Sequence, residues 1–446
     1  MNSQLKLALI HHEPSEGANK FRDPAFMKNK KLPVHRWVPW IAGYSADFVR
    51  DIINAYVKPG QAARVLDPFC GVGTTLTEAA FMGYEAIGFE INPYPALASK
   101  VKLATACIPP AALAGVIESL QADARTWAFR DAPIEFIPPG FRSKIPFFSP
   151  RVQHQVLHLL SFIASIEDPL IADCVRVAFG ATMISFSNYT YEPSLGSRPA
   201  AGKSLVEDAG VAGIITAKLQ EMALDVAAAH GSEFVKSTPQ GTVIHDTFFN
   251  YSQYLGSGSI DLIITSPPYL NNYHYVRNTR PHLHWLNFIS DSKEQQPLET
   301  HNFGQYWQNV RDKAEIHLCF IHAALSDQLE QIRALNHQKG IYGGPGWANY
   351  AAAYFNDCYR MMQGFSMLMA PGSTAAVVVG NSIIQGVNLE VQQIIGDIAG
   401  LTGLHLEQIQ CLREKRVGSS ITQSGLRNHQ GNRAALAEYV VIMRKP

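Results

Sequence analysis

Residues 63–91 constrain the fold more than any other stretch of the 446-residue chain. Ala63 to Leu66 reads as a short strand and Asp67-Pro68-Phe69-Cys70-Gly71-Val72-Gly73-Thr74-Thr75 as a glycine loop. Leu76 to Met82 is a helix ended by Gly83, and a second strand, Tyr84 to Phe89, finishes on Glu90. Strand, glycine loop, helix, strand and acid form a nucleotide-type βαβ unit, which implies an α/β fold. The glycines let the backbone come close to a ligand, the helix N-terminus faces that ligand, and Glu90 can accept from two ribose hydroxyls.

The same residues narrow the ligand. A dinucleotide fingerprint wants a third glycine where Leu76 stands. Asp67, at the strand end, would repel a pyrophosphate. It suits a ligand with a positive end and no phosphate, such as S-adenosylmethionine, which we prefer to a nicotinamide dinucleotide.

A second stretch, Ser259 to Tyr269, reads as an apolar strand over Ile260–Thr265 running into Ser266-Pro267-Pro268-Tyr269. The two prolines stop both strand and helix and remove two N–H donors. What remains is a hydroxyl, carbonyls without donors beside them, and an aromatic face. Such a corner suits gripping a flat group that donates hydrogen bonds, such as the amino edge of a nucleobase. A plain turn is the competing reading of these eleven residues.

Composition sets the frame. Hydrophobic residues make up 47% and mean hydropathy is near zero, as in a soluble globular protein. Lys+Arg and Asp+Glu both number 37, so any nucleic-acid contact must come from a locally basic cleft. Six scattered cysteines without a CxxC pair point to a reducing cytoplasm, with neither a zinc site nor a disulfide framework. The apolar run Leu5–Ile10 is too short for a signal core or a membrane span.

Between the two blocks, residues 94–240 are mostly helical in pattern, with helices expected over Ala96–Ala106, Ala111–Phe129, Pro150–Ile166, Leu170–Phe186 and Leu205–His230. A polar loop, 187–198, rich in Asn, Tyr, Ser and Arg, separates the last two. An insertion this long exceeds an ordinary crossover and serves either target recognition or as a packing cap. Ser45–Val57 reads as a helix capped by Ser45 or Asp47. The sheet resumes at Thr242–Ile244, with Asp246 just beyond. Residues 303–370 are largely helical, broken by Gly343-Gly344-Pro345-Gly346, which is either a hinge or an ordinary loop. Ala375–Val379, Leu404–Leu412 and Tyr439–Arg444 complete the strands, and Arg413 to Arg433 form a polar, basic loop.

Taken together, Asp67 to Thr75 and Thr265-Ser266-Pro267-Pro268-Tyr269 resemble the bacterial DNA amino-methyltransferases, which methylate N4 of cytosine or N6 of adenine. Glu90, Asn381 and the terminal Arg413…Ser419-Ser420…Glu438-Tyr439-Val440-Val441 pattern match as well, and His35-Arg36-Trp37…Ser45…Phe48 looks like the segment preceding the glycine loop in some of these enzymes. The resemblance covers the sheet at both ends of the chain and leaves the helical insertion uncovered.

The resemblance implies a Rossmann-like S-adenosylmethionine-dependent methyltransferase sheet with a large helical insertion. Residues 1–93 would form the N-terminal segment and cofactor half, 94–240 the insertion, read as target recognition or as a packing cap, and 241–446 the catalytic half. It implies cofactor contacts from Asp67, Phe69, Gly71, Gly73, Thr74, Thr75, Glu90, Asp246 and Asn381. Catalytic roles fall to Ser266, Pro267, Pro268 and Tyr269, and nucleic-acid contacts to Asn271, Arg277, Arg280, Arg413 and Arg416. DNA is the expected partner, together with a separate restriction or defence partner; no metal and no membrane are expected.

Ser at 266 favours N4 of cytosine, since Asp in that place is the more usual adenine form. N6-adenine, an RNA base and a non-catalytic nucleic-acid-binding relative remain the alternatives. Cytosine C5-methylation would need a nucleophilic Cys, in that family within a Pro-Cys pair, which this chain lacks.

Overall fold

The computed structural model describes residues 21–22, 25–40, 43–191, 194–231, 241–270, 275–415 and 436–446. The βαβ unit forms as β1 (Arg64–Asp67), α2 (Thr74–Phe81) and β2 (Glu85–Phe89), preceded by α1 (Ala46–Tyr56). Ser45 caps α1, its Oγ accepting from the Phe48 N–H at 3.2 Å.

The insertion carries α3 (Pro93–Leu103), α4 (Pro110–Ala124), α5 (Pro150–Ala164) and α6 (Pro169–Thr182). Each of these helices starts with proline, where a missing N–H costs nothing. A hairpin of β3 (Tyr189–Tyr191) and β4 (Leu195–Ser197) follows, then α7 (Val211–His230). The remaining sheet strands are β5 (Gly241–Ile244), β6 (Ile260–Thr265), β7 (Met369–Gly380), β10 (His405–Lys415) and β11 (Leu436–Arg444). Between them lie α8 (Tyr275–Trp285), α9 (Gln295–Thr300), α10 (Trp307–Val310), α11 (Ala323–Ala334), α12 (Gly344–Leu368), the small hairpin β8 (Ser382–Ile384) and β9 (Val387–Leu389), and α13 (Val391–Leu401).

The central sheet has seven strands in the order β10-β11-β7-β6-β1-β2-β5, and only β11 runs against its neighbours. Side chains alternate between its faces with period two. Leu66, Ile87, Ile263, Val377 and Val441 pack with Phe355, Phe365 and Ile395 of α12 and α13. Val65, Ala86, Leu262, Val378 and Val440 pack with Phe48, Ile52, Leu76 and Ala79 of α1 and α2. The sheet is therefore apolar on both faces, as a helix-covered parallel sheet must be.

The insertion has a core of its own, built from Leu120, Val156, Phe179 and Leu219, and it takes in Trp37 and Val38 from the N-terminal segment and Trp285 from α8. Its first helix, α3, nevertheless packs on α2 and β5 and so belongs to the sheet.

Four local expectations change. The polar loop at 187–198 is a short antiparallel hairpin, with Glu192 and Pro193 outside the described residues. The helix expected from Leu205 starts at Val211. Gly343 to Gly346 is the start of α12: Cβ atoms at 343, 344 and 346 would lie 2.0–2.1 Å from backbone carbonyl oxygens of Asn336, Ile332 and Ile341. Those glycines permit close backbone packing, which is neither a hinge nor a loop. Finally, Arg413, Glu414 and Lys415 belong to strand β10, and residues 416–435 lie outside the described residues.

Candidate active site

The chain leaves β1 toward β2 and β5, then returns to the other side of β1 for β6 and β7. A sheet that reverses in this way opens a crevice beyond the carboxyl ends of the two central strands. The glycine loop leaves from the end of β1 and the Ser266–Tyr269 corner from the end of β6, so one crevice receives both sequence blocks.

Asp67 joins the two strand ends. Its carboxylate accepts from Thr265 Oγ1 at 2.7 Å, Tyr44 Oη at 2.7 Å and the Phe69 N–H at 3.1 Å. Burial pushes this carboxyl up, and the donors from Tyr44 and Thr265 offset part of that rise. The loop itself is anchored from α3: Ser99 Oγ donates to the Gly71 carbonyl at 2.7 Å and Lys102 Nζ to the Val72 carbonyl at 2.9 Å. Gly73 has φ +79°, and a Cβ there would sit 2.7 Å from Ser99 Oγ, so only glycine fits. Thr74 and Thr75 are buried, Thr75 against Tyr44 Oη.

A cavity of ≈ 80 Å³ occupies the crevice, lined by Trp40, Pro68, Phe69, Gly71, Phe89, Glu90, Ile91, Asn92, Asp246, Thr247, Ser266, Pro268, Tyr275, Val276, His301, Asn302 and Phe303. Glu90 accepts from the Asn92 N–H at 2.7 Å and from the Gly71 N–H. Burial pushes its carboxyl up to about 7, against the pull of those two donors. Asp246 accepts from Tyr254 Oη at 2.9 Å and Asn250 Nδ2 at 3.0 Å. Phe69 and Phe303 meet edge-to-face, with ring centroids 5.0 Å apart.

In the corner, Ser266 Oγ lies 3.4 Å from Tyr269 Oη, which lies 3.5 Å from Glu438 Oε1. Burial, then the Glu438 charge, raises the Tyr269 phenol well above its usual range. Pro267 is buried behind the corner. The Tyr269 ring stands against Gly380, where a Cβ would meet it at 3.4 Å, and Ser382 Oγ pins the exit by donating to the Leu270 carbonyl at 2.6 Å.

The structure thus brings Phe69, Gly71, Glu90, Asp246, Ser266 and Pro268 to one cavity wall. Asp67, Gly73, Thr74 and Thr75 support that wall from behind. Asn381 is not among the lining residues; its Oδ1 accepts from the Ala437 N–H at 2.9 Å, tying β7 to β11.

Of the residues expected at nucleic acid, Arg277 is exposed on α8. Arg280 donates to the Arg142 carbonyl at 3.0 Å and lies 5.7 Å over the Phe141 ring, fastening α8 to the insertion. Arg413 pairs with the buried Glu438 across β10 and β11. Asn271 and Arg416 lie outside the described residues.

Sequence reasoning missed Trp40, Asn92, Asn302 and Phe303 as lining residues. Trp40 lay in a segment already singled out, whereas nothing in the sequence marked Asn302 or Phe303. It also missed Asp225 on α7. This buried carboxylate accepts from the Val34 N–H at 2.8 Å, Trp37 Nε1 at 2.8 Å and Arg36 Nε at 3.1 Å.

The strand order, glycine loop and polar corner at the switch point define a Rossmann-like methyltransferase sheet with a large helical insertion. Residues 19–100 match the N6/N4 methyltransferase family model, described as DNA methylase. The chain is 21% identical to the Type II methyltransferase M.BsoBI of Geobacillus stearothermophilus, over 95% of this chain and 87% of that protein. It is 25% identical to the Type II methyltransferase M.AvaI of a Nostoc strain, over 95% of this chain and 88% of that protein. A solved rRNA methyltransferase, aviRa from Streptomyces viridochromogenes, covers 100% of this chain and 93% of its own at 9% identity and a TM-score of 0.28, too low to bear on fold or substrate. Over residues 19–100 the chain is thus similar to the N6/N4 DNA methylase family, and over most of its length to Type II methyltransferases.

Proposed function

We propose that the protein transfers a methyl group from S-adenosylmethionine to the exocyclic N4 of a cytosine flipped out of DNA. One observation carries this reading: Ser266 and Pro268 of the corner line the same cavity as Phe69, Gly71 and Glu90 of the cofactor half.

The cavity's chemistry fits that cofactor. Glu90 and Asp246 offer acceptors for a ribose diol and an amino group, and Trp40, Phe69 and Phe303 offer ring faces for a purine. Among the described residues no Lys or Arg lines it. A pyrophosphate would find no counter-charge there, whereas a cationic sulfonium nucleoside is favoured by two carboxylates. The edge-to-face contact of Phe69 and Phe303 narrows the space, so seating a nucleoside turns these rings aside.

When bound, the cofactor supplies an electrophilic methyl group. The chain's own residues make the amine reactive. The lone pair of a cytosine amine is delocalised into its ring. Ser266 Oγ and the Pro267 carbonyl would accept hydrogen bonds from the amine's two N–H groups and draw the lone pair out of conjugation, toward the methyl group; as N–C forms the donor's S–C bond breaks, and one amine proton is released to solvent. Tyr269 stacks on the extruded ring. Holding amine and methyl in line supplies much of the rate. Because the Tyr269 phenol is kept protonated, its ring carries no charge against the base. Asp67, locked between Thr265 and Tyr44, keeps the two strand ends in register for this alignment.

Ser at 266, where Asp would be the usual adenine form, supports cytosine as the target. The relatives' designation as Type II methyltransferases supports a nuclease encoded separately from this chain. DNA from cells expressing the protein, digested to nucleosides and analysed by mass spectrometry, is expected to contain N4-methylcytosine, and modified-base sequencing should place it in one short motif. N6-methyladenine, or label from the methyl donor entering RNA alone, would overturn the assignment of the base.

A further inference from the structure

A second cavity, of ≈ 150 Å³, lies between the insertion and the catalytic half. It abuts the cofactor cavity, because Trp40 and Tyr275 line both. Neither Ser266, Pro267, Pro268 nor Tyr269 lines it, so a base seated there does not present its amine to the catalytic corner.

We propose that this cavity binds a single uncharged pyrimidine ring other than the methylated base. Its rings come from Trp40, Tyr94, Tyr191, Tyr275 and His282, and a flat heteroaromatic ring stacks on such faces. Room for the Tyr94 ring is made by Gly180, where a Cβ would fall 2.2 Å from that ring. Among the described residues no Asp, Glu, Lys or Arg lines the space, and His282, which meets the Gly180 carbonyl at 2.9 Å through Nε2, is pushed by burial down to about 4 and stays neutral. A phosphate, carboxylate or ammonium would be stripped of water there without a counter-charge.

A purely aliphatic guest is disfavoured by Tyr94. That residue is 2% exposed, it lines the cavity, and its hydroxyl has no hydrogen-bond partner among the described residues. A ring with its own polar edge satisfies it. Size selects the smaller base class, since a cavity of about 150 Å³ holds one six-membered ring.

The pyrimidine comes either from the DNA, as a second extrahelical base, or from solution as a free base; only the first source rests on the function proposed above. Calorimetry with 1-methylcytosine tests the free source. Fluorescence of duplexes carrying a cytosine analogue at positions other than the methylated one tests the DNA source. Either signal in the wild type is expected to weaken about tenfold in Tyr94→Phe, the worth of one hydrogen bond. It should vanish in Ala181→Leu, which fills the cavity, while affinity for S-adenosylhomocysteine stays within about twofold. Thermal stability of Tyr94→Phe should equal or exceed that of the wild type, because its hydroxyl has no partner to lose; a merely structural tyrosine would lower it. No signal from either source, equal binding of 9-methyladenine, or undiminished binding in both variants overturns the proposal. Methyl transfer is scored separately on the same samples, so an inactive enzyme that still binds 1-methylcytosine leaves this inference standing.

Discussion

At the scale of single residues, two groups divide the work of the crevice. In the proposed reaction Ser266 would act on the amine and Glu90 on the cofactor, and their variants should separate accordingly. Ser266→Ala is expected to lower kcat by about a hundredfold with S-adenosylhomocysteine affinity unchanged. Loss of binding in that variant would place Ser266 with the cofactor instead. Glu90→Gln should weaken cofactor binding by about tenfold.

Glu90 also carries a pH signature. Its carboxyl titrates near 7, and the ionised form is the better acceptor for ribose hydroxyls. Below that pH the group holds a proton that cofactor binding must expel, so affinity should rise as pH increases from 6 to 8. Calorimetry at those two values checks the sign, and Glu90→Gln should flatten the difference.

These residues were largely legible in the sequence because both motifs are contiguous. Each packs its donors and acceptors into about ten neighbouring positions, at the end of a strand whose apolar run is plain. Asp67 was legible as a residue and misjudged in direction. The sequence suggests a carboxylate facing the ligand, whereas Tyr44 and Thr265 occupy its oxygens from the protein side.

At the scale of elements, the insertion does more than cover the sheet. Asp225 of α7 gathers the backbone N–H of Val34 and the side chains of Arg36 and Trp37, from positions about 190 residues earlier in the chain. That grip fixes the approach to Trp40, whose Nε1 lies 3.4 Å from where a Gly71 Cβ would be. Asp225→Ala removes the closest partner of the half-buried Arg36 guanidinium and leaves the buried Trp37 indole N–H unpaired, and should cost roughly 3 kcal/mol in denaturant unfolding. It should also weaken cofactor binding, while Asp225→Asn should recover part of both losses. Unchanged cofactor affinity in a destabilised Asp225→Ala protein would confine the residue to stability.

Nothing in the sequence pointed to this contact. A buried acid on a helix is an ordinary helical residue until its partner is known, and here the partners come from the N-terminal segment. The glycines at 343–346 misled for a related reason. Their composition suits a turn, but the neighbouring backbone comes too close for any side chain.

At the scale of the whole molecule, Lys102 joins the sheet to the insertion and makes global stability depend on pH. It is fully buried, donates to the Val72 carbonyl of the glycine loop, and is pushed down to about 7 by burial and then by Lys218 of α7. In the unfolded chain the amine titrates near its ordinary value. Between about pH 7 and pH 10 the unfolded state therefore holds more protons, and stability should rise with pH by up to about 1.4 kcal/mol per unit from this group. Urea unfolding at pH 7.5 and 9 should show the rise, and Lys102→Met should remove most of it. An equal slope in both proteins would show that Lys102 keeps its proton in the folded state as it does in the unfolded chain.

The sequence by itself determined the chemistry and the sheet: a glycine loop with its acid, a Ser-Pro-Pro-Tyr corner, and strands whose apolar runs demand cover on both faces. These are local patterns, and hydrogen bonding along the backbone and burial with period two translate them directly. Tertiary structure alone decided which distant residues close the cavity, that Asp225 ties the insertion to the cofactor segment, and that a second aromatic cavity opens beside Trp40. Those contacts join positions more than 200 residues apart, as Phe69 and Phe303 show, and their energy depends on shape and desolvation at the meeting point, which no local pattern encodes.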